Sequence, residues 1–200
     1  MKFTEFFKDK GSMLRKLWIN QFAFSLFGLF VASPFRGAMC VVAGVFSYLF
    51  YMSVVGFSVL DDAQKDKISY SAGRKTGVNA YTGLRYAFVA FLPTIILMII
   101  YTILTFIHSI DSSISFIISI ITRFIMGGEI LGIDTGLTNY TYSESANMLV
   151  SNSPESILFL SSHGIIHLIY SVVTPVIIGI VYFLAFKGII SVNTTESKKD

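Results

Sequence analysis

Four runs without a single Asp, Glu, Lys or Arg, each long enough to cross a lipid bilayer as a helix, constrain this chain more than any other feature. They are residues 17–35, 37–60, 86–110 and 157–186, the last closed by Lys187. A spanning helix needs roughly 20 apolar residues at ~1.5 Å rise each, because hydrocarbon offers no water to satisfy backbone groups. Stretches such as Thr94-Ile95-Ile96-Leu97-Met98-Ile99-Ile100 are apolar on every side and do not alternate, so the strands of a transmembrane barrel are excluded. Composition agrees: of 200 residues 54% are hydrophobic and 14% charged, with a mean hydropathy of +0.69. Water-soluble domains carry about 25% charged residues. The expected fold class is all-α integral membrane, one helical domain over residues 1–190 followed by a short polar tail, 191–200.

Charge sets the expected orientation. Lys and Arg accumulate in cytoplasmic segments. If the runs are spans 17–35, 37–60, 86–110 and 157–187 with the N-terminus inside, the inner segments hold thirteen basic residues and the outer ones only Arg36 and Arg123. The outer segments also carry Asp111, Glu129, Asp134, Glu144 and Glu155, and are net negative. Both termini are therefore expected in the cytoplasm. The leader carries Glu5 and Asp9, and Ser33-Pro34 makes a poor cleavage site, so the first run reads as a retained span.

Residues 112–126 are apolar but short, with Ser112, Ser115, Ser119 and Thr122 recurring at helical spacing. This predicts a helix lying in the outer interface, or a re-entrant one. The alternative is a fifth span over 112–133, which would bury Arg123 and Glu129 and move the tail lysines outside. The final run is about 45 Å long as a helix, so it must tilt, project or break, with Pro175 the expected kink. Residues 135–154 read as an exposed outer loop.

Few side chains within the spans can carry chemistry. The first two spans contain no acid, base or histidine, and Cys40 stands alone, without a second thiol for a disulfide. His163 and His167 lie four apart on one helical face, and with His108 they form a candidate metal site at the outer face. The bland reading of these three is interfacial histidines bonded to water and neighbouring helices.

The segment after the second span is the most distinctive polar one, Asp61-Asp62-Ala63-Gln64-Lys65-Asp66-Lys67 and then Gly73-Arg74-Lys75-Thr76-Gly77. Asp61, Asp62, Asp66, Arg74 and Lys75 are the candidate contacts for a cytoplasmic partner or lipid headgroups, against the plainer reading of a solvated connector. Asp61 and Lys65 are spaced to pair. The glycines lack the order of a phosphate-binding loop. This segment, with Thr82-Gly83-Leu84 entering the third span, resembles small uncharacterised polytopic membrane proteins of low-GC Gram-positive bacteria, over roughly residues 51–93. The resemblance implies a bacterial cytoplasmic membrane and implies nothing about mechanism.

With no nucleotide motif, no nucleophile–base pair and no charged pathway, the expectation is a non-enzymatic accessory, assembly or interaction component of a bacterial membrane system. One alternative is a small solute or ion transporter or channel lined by Asn20, Gln21, Thr94 and Thr102. The other is a membrane enzyme or metal-dependent protein using the outer histidines. The expected partners are the lipid bilayer, another membrane or cytoplasmic protein, and a second copy of the chain through small-residue pairs such as Gly28/Ala32 and Ala43/Ser47. Neither a cofactor nor nucleic acid is expected.

Overall fold

The computed structural model of the chain describes residues 3–35, 38–75, 77–107, 121, 128–130, 140–143, 148–151 and 156–191. Among these, four long helices dominate: α1 Phe3–Ala32, α2 Ala38–Ser71, α3 Thr82–Ile107 and α4 Ser156–Lys187. A single 3₁₀ turn, Gly128–Ile130, packs against α1 and α2. Strands β1 Tyr140–Ser143 and β2 Met148–Ser151 form an antiparallel hairpin, Tyr140 opposite Ser151, inside the stretch expected to be plain loop.

Three helical segments are long and apolar enough to cross a membrane: Ala38–Ser71, Thr82–Ile100 and His167–Lys187. They make this a helical membrane protein. The expected first span, residues 17–35, is not among them, for a physical reason. α1 ends at Ala32, so any span-length stretch of it takes in Arg15, Lys16 and Asn20 and is less apolar than the other three helices. The expected interfacial or re-entrant helix, 112–126, lies outside the described residues apart from Ile121.

Two connectors expected from charge are helix instead. The leader is the first half of α1, which buries Phe6, Lys10, Met13, Leu14, Leu17 and Gln21 at helical spacing. α2 continues eleven residues past Leu60 to Ser71, on a face that buries Tyr51, Val55, Val59, Ala63 and Asp66 in sequence. The helix stops at Gly73, whose φ of 70° suits only glycine, with Arg74 N–H bonded to the Ser69 carbonyl. Gly188 ends α4 in the same way (φ 82°). Pro175 does not break α4, which runs unbroken from Ser156 to Lys187.

Contacts fix the directions. Lys10 meets Asp62 and Phe24 meets Phe50, so α1 and α2 are antiparallel. Tyr48 meets Thr174 and Tyr70 meets Phe186, so α2 and α4 are parallel. Trp18 meets Ala90 and Gln21 meets Thr94, so α1 and α3 are parallel as well. The start of α1, end of α2, start of α3 and end of α4 therefore gather at one charged end. α3 and α4 approach most closely: a Cβ on Gly83 would overlap the Tyr182 side chain, and one on Gly179 would overlap Leu84.

Candidate functional site

Two polar layers occur in the bundle. At the charged end, Lys10 of α1 is 1% exposed and pairs with both Asp62 (2.8 Å) and Asp66, which stand one turn apart on α2. Asp66 also accepts from Tyr182 of α4 (2.6 Å) and pairs with Lys75 (3.1 Å) in the turn before α3. Lys75 reaches on to Asp9 (2.6 Å). The Lys10 ammonium lies 5.8 Å and 5.9 Å from the Tyr86 and Tyr182 ring centres, within cation–π range.

Burying charge is costly unless each group is paired and hydrogen-bonded, and here the network supplies both. Burial raises the Asp66 carboxyl, but hydrogen bonds from Lys10 and Tyr182, with Lys75 beyond them, outweigh it and hold Asp66 below the usual carboxylate range. Burial wins at Asp62, which is held above that range despite Lys10. Lys75 is pushed up: its partial burial is outweighed by Asp9 and Asp66.

This layer reassigns the residues expected to meet a partner. Asp62, Asp66 and Lys75 spend their charge inside the chain. Asp61 forms its expected exposed pair with Lys65 (2.6 Å), and Arg74 is exposed. Sequence spacing put Asp62 and Asp66 on one face but gave no sign of Lys10, more than fifty positions away.

The second layer lies deeper. The 3₁₀ turn inserts Glu129 against α1 and α2, where its side chain is 0% exposed and its carboxylate oxygens find no partner on another residue among the described ones. Ile130, next in the same turn, joins the core cluster that holds Tyr51 of α2. Among the described residues the Tyr51 hydroxyl and the Ser47 hydroxyl one turn away are also buried and unpartnered, as is the hydroxyl of Tyr170 on α4. Tyr48 by contrast bonds Thr174 (3.3 Å) and stacks edge-on with Tyr170. Gln21 and Thr94, expected to line a path, meet at 3.0 Å; Asn20 is half-buried and the Thr102 side chain lies outside the described residues.

Glu129 was expected on an outer loop, and its burial is the principal correction to the sequence reading. Nothing local in Gly127-Gly128-Glu129-Ile130 announces it, although Ile130 beside it joins the apolar core. Of the candidate metal ligands, His167 is buried on the α4 face that also carries Tyr170 and Thr174. His108 and the His163 side chain lie outside the described residues. Among the described residues no three His, Cys, Asp or Glu side chains gather as a metal site would require. Comparison with known proteins leaves the reading to the chain itself: no family model, curated protein or solved structure matches it.

Proposed function

We propose that this chain is a small transporter of a bacterial cytoplasmic membrane, moving protons or small cations through a four-helix bundle whose ionisable centre is Glu129. The observation that carries the reading is the full burial of that carboxyl against α1 and α2, where its oxygens find no partner on another residue among the described ones. An ionisable group at such depth costs several kcal/mol unless it meets a counter-charge or lines a pathway. A proton or a small cation held by Glu129, with the free oxygens of Tyr51 and Ser47 as further ligands, would satisfy all of them together. Fully buried Val55 and Val59 lie along α2 between this layer and the Lys10–Asp66 network, and would close the bundle on that side.

The proposed topology has α1 crossing with the other three helices, its charged first turns at the cytoplasmic surface and both termini inside. Support comes from the alternation of helix directions and from the basic residues gathered at one end. The chemistry is non-enzymatic. The test is flux in liposomes of purified protein, read with a pH-sensitive dye and with potassium and sodium gradients. Flux that Glu129→Gln abolishes while the protein stays monodisperse is the expected result. Protein that passes no cation but copurifies with a stoichiometric partner would return it to the accessory class.

A further inference from the structure

α3 and α4 run antiparallel, and their closest approach fixes their register. Gly83 lies against Tyr182 and Gly179 against Leu84, so near that neither glycine has room for a Cβ. Each helix also carries one proline, Pro93 in α3 and Pro175 in α4. A proline has no N–H, so α3 lacks the bond from residue 93 to the Val89 carbonyl, and α4 lacks the bond from residue 175 to the Ser171 carbonyl. Carried along both helices, the register sets Pro93 level with about Ser171 and Pro175 level with about Val89. The Phe91–Tyr170 ring contact (6.4 Å) agrees to within about a turn. The two weakened turns, 89–93 and 171–175, therefore lie at the same level.

At that level each helix is tied to a neighbour. Thr94 and Thr174, each next to its proline, bond Gln21 of α1 (3.0 Å) and Tyr48 of α2 (3.3 Å), and Trp18 of α1 donates to the Ala90 carbonyl (2.8 Å). From there to the charged end, α3 and α4 pack on each other through the two glycines and through Tyr86 edge-on to Tyr182. This half is held to α1 and α2 by the Tyr182–Asp66 hydrogen bond (2.6 Å), by the Lys10 ammonium beside both tyrosine rings, and by the Tyr70–Phe186 contact. Lys75 adds its pairs with Asp66 and Asp9 from the segment that joins α2 to α3.

We propose that α3 and α4 bend together at the paired prolines, residues 82–89 and 175–187 swinging as one body away from α1 and α2, with the Tyr182–Asp66 bond as the latch that holds it closed. The motion opens the side of the Glu129 layer that Val55 and Val59 close. Sharp helix bends arise at proline, and one of about 20° over the ~18 Å from Pro175 to Lys187 moves the helix end by about 6 Å. Tyr81, directly before α3, is as far from Pro93, so both ends move alike. The use of this motion in cation passage rests on the transport reading; the motion itself is measured without flux.

Double electron–electron resonance on the full chain in lipid nanodiscs tests it, with Cys40→Ser and pairs of spin labels at exposed positions: Ile68→Cys on α2, Tyr81→Cys at the head of α3 and Lys187→Cys at the end of α4. Tyr182→Phe keeps the ring and removes the hydroxyl. It should give the Ile68–Tyr81 and Ile68–Lys187 distances a second component about 6 Å longer, while Tyr81–Lys187 keeps a single value. Adding Pro93→Ala and Pro175→Ala, which return both backbone donors, should remove the longer component. With Tyr182 intact, the same alanine pair should narrow both α2 distance distributions, which tests the hinge even where Tyr182→Phe folds poorly. A long component that survives both alanines, lengthening of only one α2 distance, or no response to either change would overturn the proposal. Absence of cation flux would count against the transport reading alone.

Discussion

The charged end and the Glu129 layer are both buried and both polar, yet they are built on opposite terms. At the charged end, Lys10, Asp62, Asp66, Lys75 and Asp9 bond one another and Tyr182 donates into the same group, while the buried Tyr86 hydroxyl beside them has no partner among the described residues. In the Glu129 layer, a carboxyl and three hydroxyls from two helices and a short turn have no partner on another residue among the described ones. Buried polar groups in folded proteins are overwhelmingly bonded. The first arrangement is therefore what stability alone would select. The second retains a cost that stability does not explain, which is why the functional proposal is placed there. The first arrangement closes the fold; the second is the one the proposed transport reading uses.

That contrast can be broken or sharpened by substitution. The largest effect is expected from Asp66→Ala, which leaves the buried Tyr182 hydroxyl without its acceptor and cuts Lys10 and Lys75 back to one carboxylate each, Asp62 and Asp9. Losing one partner of a buried pair costs about 3–5 kcal/mol, and a denaturant titration in mixed micelles should show a loss of that order, with Asp66→Asn falling between because it still accepts from Tyr182. Next comes Gly83→Ala, where the added methyl meets the Tyr182 side chain; overpacking of this kind costs about 1–3 kcal/mol and should part α3 from α4, read as increased labelling of a cysteine introduced at that interface. Glu129→Gln keeps the volume and removes the charge. It should change stability by less than about 1 kcal/mol while abolishing cation flux. A large loss of stability without any effect on flux would erase the distinction between the layers.

pH offers a smaller handle. The contribution of Asp66 is present above the usual carboxylate range and is lost as pH falls through its depressed folded value. That of Lys75 is present below the usual lysine range and is lost as pH rises through its raised folded value. Asp62 works against Asp66: held above the ordinary range, it costs stability as it ionises. Unfolding across pH should show an acid limb that Asp66→Asn flattens and an alkaline limb that Lys75→Met flattens. Least of all, Lys65→Ala removes only an exposed pair and should leave unfolding unchanged within error.

How much of this could be read from the residues differs element by element. The apolar runs around 37–60, 86–100 and 167–187 are legible because a bilayer imposes length and composition directly, and helices occupy all three. The Asp61–Lys65 pair was legible because both partners lie on one helical turn. The helical leader was less so: Lys8, Asp9 and Lys10 look like solvent-exposed charge until Asp62 and Asp66 are brought opposite Lys10. Asp62, Asp66 and Lys75 read as free for a partner for the same reason, and the structure shows all three paired within the chain.

By itself, the sequence determined that this chain is a helical membrane protein, where its most apolar helices lie and which end carries the basic residues. These follow from local hydropathy and charge, which need no knowledge of what lies across the bundle. Only the tertiary structure decided which charges are spent internally, that α1 and α3 run parallel with Trp18 between them, and that a short turn past residue 127 carries Glu129 into the core. Each is a meeting of residues distant in sequence, and a buried charge is tolerated or costly according to the groups that surround it, wherever in the chain they come from.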